Sequence, residues 1–218
     1  MRKPKKFGIY STGLLSAVLV LSACGGGSTP SDGDGNNNSS SSEAGGSFSV
    51  YVCEPESLIP QNTNETCGAE VLNALFTPLV NFNPENSDPE FGEGVGNAHA
   101  VSIESEDQKN WTVKIKDGWT FHNGEPVDAA AYARGWNAGA LSTNAYGNSY
   151  FFENIVGYAD LQAPTDADGN PTGEPKATEM SGLKVVDDTT FTVELTAPFS
   201  QFPLTLGYTA FYPLPKAY

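Results

Sequence analysis

Histidine, cysteine and basic residues are scarce in this 218-residue sequence, and their scarcity narrows the chemistry that the chain can perform. Only two histidines occur, His99 and His122, and neither belongs to a spaced metal-binding motif such as two histidines four residues apart on a helix. No serine lies in a nucleophile-elbow pattern. We therefore expect no catalytic residues, no metal site and no cofactor, and we predict that the chain is not an enzyme.

Positive charge is also scarce, because 11 lysine and arginine residues stand against 26 aspartate and glutamate residues. The net charge of −15 repels phosphate backbones, which excludes a nucleic-acid partner. The segment Asp166–Asn170 resembles the start of a calcium loop. The positions that need glycine and a carboxylate are occupied by Pro171 and Ala177, which favours an ordinary acidic surface loop.

The N-terminus has the organisation of an export signal. Basic residues from Arg2 to Lys6 precede the uncharged stretch 9–23, which is too short to span a bilayer comfortably but suits a signal-peptide core. Small residues then lead to Cys24, an arrangement that resembles a bacterial lipobox, in which cleavage precedes an acylated cysteine. We predict a signal peptide over residues 1–23 and a lipid anchor on Cys24. The alternative is an ordinary cleavable signal in which Cys24 is incidental.

The region that follows has nothing to bury. Residues 25–46 contain only Gly, Ser, Thr, Pro, Asp, Asn, Glu and Ala, so we predict a disordered tether over residues 24–46. A random coil of this length averages roughly 25 Å from end to end. A tether of this kind has a purpose only if its start is anchored, so it supports a lipid anchor on the extracytoplasmic face of the cell membrane.

The rest of the chain alternates between strand and helix patterns, which predicts an α+β fold. A strand is predicted to begin at Phe48, with Val50 and Val52 on one face, and a helix follows over about 67–76, capped by Asn64 or Thr66. The remaining predicted elements are a hairpin around residues 106–108, a tight turn at 123–124, a helix capped by Asp128, a surface loop over 162–176 and a hairpin around 187–189.

Two cysteines remain once Cys24 is acylated. An even pair in an oxidising compartment favours a disulfide between Cys53 and Cys67, with two free buried thiols or a metal site as the alternatives. Among the aromatic residues, we expect Trp111, Trp119, Phe121 and Trp136 to build the core. Tyr146 lies in the loop 145–154, where an aromatic side chain is free to stack on a ligand.

Three motifs together resemble the oligopeptide- and dipeptide-binding proteins of ABC importers, family 5 of the extracellular solute-binding proteins. They are WTVKIKDGWTFHNGEPVDA at 111–129, GLKVVDDTTFTVEL with APF over 182–199, and FYPLPK at 211–216. Asp128 stands where the family usually has threonine, and Ala131 where it often has an acid. Both positions cap a helix or lie on the surface, so these two differences do not weaken the resemblance. The resemblance covers residues 48–218.

The resemblance implies the N-terminal part of a two-lobed periplasmic-binding-protein-like fold, a mixed sheet with antiparallel hairpins and flanking helices. It assigns residues 47–76 to the opening strand and helix of a first domain. Residues 77–218 become an inserted second domain of the same lobe, truncated where the chain returns to the first domain. The opposing lobe is then missing.

The resemblance also implies ligand contacts. The segment between the first strand and the first helix, here Asn64, Glu65 and Thr66, runs along the ligand backbone in the family, and a loop tyrosine matching Tyr146 faces the ligand. The family often has an acid at the position of Asn64, so Glu65 is a candidate for that role. Helix capping alone is the alternative for all three residues.

The function implied is that of a monomeric solute-binding protein that captures oligopeptides and delivers them to the permease of an ABC importer, and that contacts the membrane only through its lipid anchor. The alternatives are a binder of nickel, haem or sugar from the same family, an exported hydrolase, and a surface lipoprotein with no role in transport.

Overall fold

A computed structural model describes residues 47–218, so the predicted signal peptide, Cys24 and the tether lie outside the described residues. The first helix, α1, spans Thr66–Leu75 and confirms the predicted helix to within one residue. Its capping residue is Glu65, not Asn64 or Thr66, because Glu65 Oε1 accepts a hydrogen bond from the Gly68 N–H at 2.7 Å. Gly68 leaves room for this carboxylate, since a Cβ there would lie 2.3 Å from Oε1.

The strand predicted to begin at Phe48 is not formed. Residues 47–55 carry no strand, and Val50 and Tyr51 are 69% and 90% exposed. A strand is stabilised by hydrogen bonds to a neighbouring strand and by burial of one face. Neither sheet within residues 47–218 pairs with this segment, so its apolar alternation has no surface to pack on.

The described residues form two antiparallel sheets. Two short strands, β1 (Asn81–Phe82) and β2 (Pro89–Glu90), make a small hairpin. The main sheet contains β3, β4, β5 and β6 in the order β3-β4-β6-β5, and the bounds of these strands are Ala100–Glu104, Asn110–Ile115, Leu183–Asp187 and Thr190–Glu194. Both hairpins of this sheet confirm the turns predicted around residues 106–108 and 187–189.

The core lies between the main sheet and helix α2, which spans Ala129–Ala140. Asp128 caps this helix as predicted, because its Oδ1 accepts a hydrogen bond from the Ala131 N–H at 2.8 Å. The buried rings of Tyr132 and Trp136 pack on Phe191 of β6, with centroids 5.6 and 5.4 Å apart. Burying aromatic rings of this size is a large part of what stabilises such a core.

The last part of the chain returns to α2. After α3 (Phe202–Thr205) a 3₁₀ turn covers Thr209–Phe211, and the Trp136 indole donates a hydrogen bond to the Phe211 carbonyl at 2.9 Å. The Leu214 N–H then donates to the Ala131 carbonyl at 3.1 Å. The fold is α+β, as predicted. Further 3₁₀ turns lie at Ser142–Asn144, Ser149–Phe152 and Tyr158–Leu161. Within residues 47–218, no helix has the length and apolar character needed to cross a bilayer.

Candidate functional site

The predicted ligand-facing segment, residues 64–66, follows a hydrogen-bonded turn over residues 59–63. The buried Thr63 hydroxyl lies 2.8 Å from the Ser57 carbonyl and 2.9 Å from the Ile59 carbonyl, and the Thr63 N–H also donates to Ile59. These bonds fix the direction in which the chain leaves the turn. Asn64 is exposed directly after it.

Glu65 has a structural role at the start of α1. Besides capping Gly68, its Oε1 accepts a hydrogen bond from the Glu56 N–H at 3.3 Å, so the carboxylate also holds the preceding segment against the helix. Thr66 is the first residue of α1 and is exposed. Ligand contact by Asn64, Glu65 and Thr66 stays a prediction.

A disulfide joins Cys53 to Cys67 in the first turn of α1, with the two Cα atoms 5.3 Å apart. It closes a loop that contains residues 64–66. Closing a loop of this length contributes around 3 kcal/mol in the chain-entropy model. The same loop is held by the bond between the Glu56 N–H and Glu65, so two independent links position the ligand-facing segment.

The loop that carries Tyr146 lies directly against this segment. The Gly147 N–H donates to Asn62 Oδ1 at 2.9 Å, and Asn148 Nδ2 donates to the Thr63 carbonyl at 2.8 Å. A Cβ on Gly147 would lie 2.8 Å from Asn64 Nδ2, so a larger residue at this position would displace the Asn64 side chain. Two segments some eighty residues apart in the sequence therefore form one continuous surface.

Tyr146 is half-buried at the edge of this surface. It follows Ala145, whose φ of +52° places it in the left-handed region and turns the chain sharply. The Tyr146 hydroxyl contacts the hydroxyl of Tyr218. Burial, together with Tyr146, raises the pKa of Tyr218 to about 12.

Three stacked aromatic rings form a row that begins in the loop 145–154 and ends at Tyr208, which sequence reasoning missed. The ring of Tyr150 stacks on Phe151 at 4.5 Å, and Phe151 stacks on Tyr208 at 4.4 Å. Tyr150 is 55% exposed. Burial, and then Tyr150, raises the pKa of Tyr208. Tyr208 joins the row only through tertiary packing, and the one signal in the sequence was the density of aromatics over residues 208–212.

Both histidines line a separate cavity of about 320 Å³ at the C-terminal end of α1. Its walls include Phe76, Trp119 and Phe121. Trp119 and Phe121 are only half-buried there, which corrects their predicted place in the core. Trp119 instead stacks on His99 with centroids 4.4 Å apart. No group of three or more potential metal ligands occurs in the described part of the chain.

His99 is held as a neutral side chain. Its Nε2 lies 2.9 Å from the Lys116 carbonyl and therefore donates to it, which leaves Nδ1 to accept from the Tyr132 hydroxyl at 2.8 Å. Burial lowers the pKa of His99 to about 4, an effect that the carbonyl bond opposes and the Lys116 charge reinforces. The residue is thus part of the packed wall between the cavity and α2.

Comparison with known proteins identifies the family. Bacterial extracellular solute-binding proteins, family 5 (middle region), match residues 95–217 of this chain, more than half of its length. The chain belongs to family 5 of the bacterial extracellular solute-binding proteins. This family 5 chain is 31% identical over 201 residues to the oligopeptide-binding protein OppA of Bacillus subtilis, a match that covers 90% of this chain and 33% of that protein.

Solved structures of similar proteins show the same fold. The murein tripeptide-binding protein MppA of Escherichia coli superposes with a TM-score of 0.62 at 24% identity, over 77% of this chain and 30% of that one. OppA of Listeria monocytogenes bound to peptide gives a TM-score of 0.61 at 23% identity, over 77% and 30%. This family 5 chain spans about a third of the length of the curated relatives it matches.

Proposed function

We propose that this chain is part of the extracytoplasmic solute-binding component of an ABC importer, which captures oligopeptides and delivers them to the permease. Membership of family 5 supports solute binding, and relatives named for oligopeptide or murein-peptide binding support the ligand class. In this role the protein is a monomer, carries no cofactor and changes no bond in its ligand.

The observation that carries the proposal is the joined surface made by residues 62–66 and the loop 145–148. Hydrogen bonds from Gly147 and Asn148 fix the two segments together, and the half-buried Tyr146 borders them. Extended peptides are recognised by main-chain hydrogen bonds, while their side chains occupy roomy pockets. An exposed polar segment beside an aromatic loop suits this mode of binding.

Within this surface we assign different roles to the predicted residues. Oε1 of the Glu65 carboxylate is used in capping the helix, and Asn64 offers an uncharged amide that both donates and accepts hydrogen bonds. We therefore expect Asn64 and Thr66 to bind ligand main-chain groups, and Tyr146 to pack on a ligand side chain. Recognition at this point relies on hydrogen bonds instead of a buried ion pair.

The domain arrangement is part of the same proposal. Residues 47–76 open a first domain, residues 77–218 form a domain inserted into it, and the opposing lobe lies in a longer protein of the size of the relatives. Asn64 and Tyr146 then line one wall of the cleft between the lobes.

Peptide binding is tested by calorimetric titration of the intact protein with a mixed peptide pool. The substitution Asn62→Ala removes the hydrogen bond from the Gly147 N–H, so we expect the protein to bind peptide roughly tenfold more weakly. Asn170→Ala is the matched control, because Asn170 is exposed and its side chain bonds only within its own turn, to Asp166. If the intact protein binds no peptide, the ligand class is wrong, and titration with nickel, haem and sugars decides among the other solutes of the family.

Lipid anchoring is tested separately. The apolar stretch before Cys24 and the polar tether after it predict that Cys24 becomes the acylated N-terminus of the mature protein. We expect Cys24→Ala to shift the protein from the membrane fraction to the medium, and Cys53→Ala to leave it membrane-bound. Processed Cys24→Ala protein that stays on the membrane would contradict the anchor.

A further inference from the structure

Three buried side-chain oxygens have no hydrogen-bond partner among residues 47–218. They are Gln61 Oε1, Asn148 Oδ1 and Thr209 Oγ1. The side chains belong to residues that are 0%, 0% and 3% exposed. Buried polar groups in native proteins are nearly always hydrogen-bonded, so three orphaned oxygens require an explanation.

The amide groups of the two side chains are not simply reversed. Gln61 Nε2 donates to the carbonyls of Ala210 and Tyr212 at 3.2 and 2.8 Å. Asn148 Nδ2 donates to the Thr63 carbonyl at 2.8 Å. Turning either amide round would place its oxygen against a carbonyl oxygen, so Oε1 and Oδ1 must accept from some other donor.

The three residues come from segments that meet at one place. The Gln61 amide lies beside Ala210, the neighbour of Thr209, and Asn148 Nδ2 is 3.4 Å from the carbonyl of Pro60, the neighbour of Gln61. The Tyr208 hydroxyl lies near the side chains of Thr209 and Asn148, yet it makes no hydrogen bond of normal geometry with either orphaned oxygen. Apart from the hydroxyls of Tyr208 and Thr209, the polar neighbours of the cluster are carbonyl acceptors, and none of the three oxygens has a bonded donor among residues 47–218.

We propose that the oxygens of Gln61, Asn148 and Thr209 form a buried water-binding site, in which at least one water molecule bridges two or more of them. Buried waters typically make about three hydrogen bonds to polar groups that otherwise lack partners. Water is the smallest ligand with two donors, and the Thr209 hydroxyl adds a third donor to the network. The site adds water-mediated hydrogen bonds to the direct ones by which Gln61 and Asn148 join the turn 59–63, the loop 145–148 and the segment 209–212.

The first test uses the sign of a stability change in the intact protein. Thr209→Val replaces the hydroxyl by a methyl group of similar size. If the hydroxyl is bonded to water, we expect the Tm to fall. One hydrogen bond of about 1 kcal/mol lowers the Tm by about 2–4 °C in a protein of 150–250 residues, and by less in the longer intact protein. If the hydroxyl is unpaired, the substitution removes a buried polar group that has no hydrogen-bond partner, and the Tm stays unchanged or rises. That result overturns the proposal.

Thr63→Val is the matched reference, because the Thr63 hydroxyl is equally buried and has carbonyl partners at 2.8 and 2.9 Å. We expect a decrease of the same sign for both variants. The second test is a high-resolution crystal structure of the unmodified protein. Water density within about 3.2 Å of two of the three oxygens supports the site. Absence of such density, or a Tyr208 hydroxyl that donates directly to Asn148 Oδ1, overturns it.

Discussion

The surroundings of His99 show how burial determines the chemistry of a single residue. The ring is buried between Trp119 and Tyr132, and in the neutral form both nitrogens are hydrogen-bonded. Protonation would bury a charge next to the Lys116 side chain, and the Tyr132 hydroxyl would have to turn its own hydrogen away to accept from Nδ1. A histidine with this environment stabilises the fold only while it is uncharged.

We therefore predict that the free energy of unfolding decreases as the pH is lowered from about 6.5 to 4. In this range the unfolded chain binds a proton at histidine, while folded His99, with its pKa lowered to about 4, does not. Stability is complete above pH 6.5 and declines as the pH falls, by up to about 3 kcal/mol if the full shift applies. Urea unfolding of the intact protein at pH 7 and 4.5 measures this loss.

The control separates His99 from the carboxylates that titrate in the same range. His99→Gln should flatten the pH dependence by the contribution of this residue, whereas His122→Gln, at an exposed position of the same cavity, should leave it as in the unmodified protein. Equal pH dependence in all three proteins would show that folded His99 takes up a proton as readily as the unfolded chain.

Secondary-structure elements were predictable wherever their signals are local. Asp128 marks the start of α2, and the acidic turn at 187–189 separates β5 from β6, because caps and turns depend on neighbouring residues. The strand at Phe48 was wrong because a strand depends on a partner. The capping role of Glu65 was missed because it depends on the space that Gly68 leaves.

The same distinction applies to the candidate site. The family resemblance predicted Asn64 and Tyr146 as ligand contacts. The hydrogen bond between Asn62 and Gly147 joins positions some eighty residues apart, and no local sequence pattern indicates it. Tyr208 and the buried cluster of Gln61, Asn148 and Thr209 likewise depend on how the segment 209–212 returns to α2.

The loop closed by Cys53 and Cys67 leads to a prediction at the scale of one element. In the proposed extracytoplasmic location we expect these two cysteines to be disulfide-bonded, since they are close enough to pair and an oxidising compartment keeps the bond. The double variant Cys53→Ser/Cys67→Ser should lose roughly 3 kcal/mol of stability. Mass spectrometry of unreduced tryptic peptides checks the pairing, and alkylation of both thiols without a reductant would contradict it.

At the scale of the whole molecule, the start of the described chain leaves several large apolar side chains exposed. Tyr51, Val50, Leu58 and Leu75 are all more than half exposed. Several large apolar side chains are therefore exposed within one stretch of the chain, residues 50–75. This agrees with the proposed arrangement, in which residues 47–76 open a domain that is completed by later parts of a longer protein.

We accordingly predict that residues 24–218 alone do not bind peptide with useful affinity, although the intact protein does. One wall of a cleft supplies only part of the hydrogen bonds and leaves the other side of the ligand in water. Losing several bonds at roughly 0.5–1.5 kcal/mol each weakens a micromolar affinity to millimolar or beyond, since each 1.4 kcal/mol is about tenfold. The exposed apolar side chains should also make the shorter protein prone to aggregate. Calorimetric titration of both proteins with the same peptide pool measures the difference, and micromolar binding by residues 24–218 alone would contradict the two-lobed arrangement.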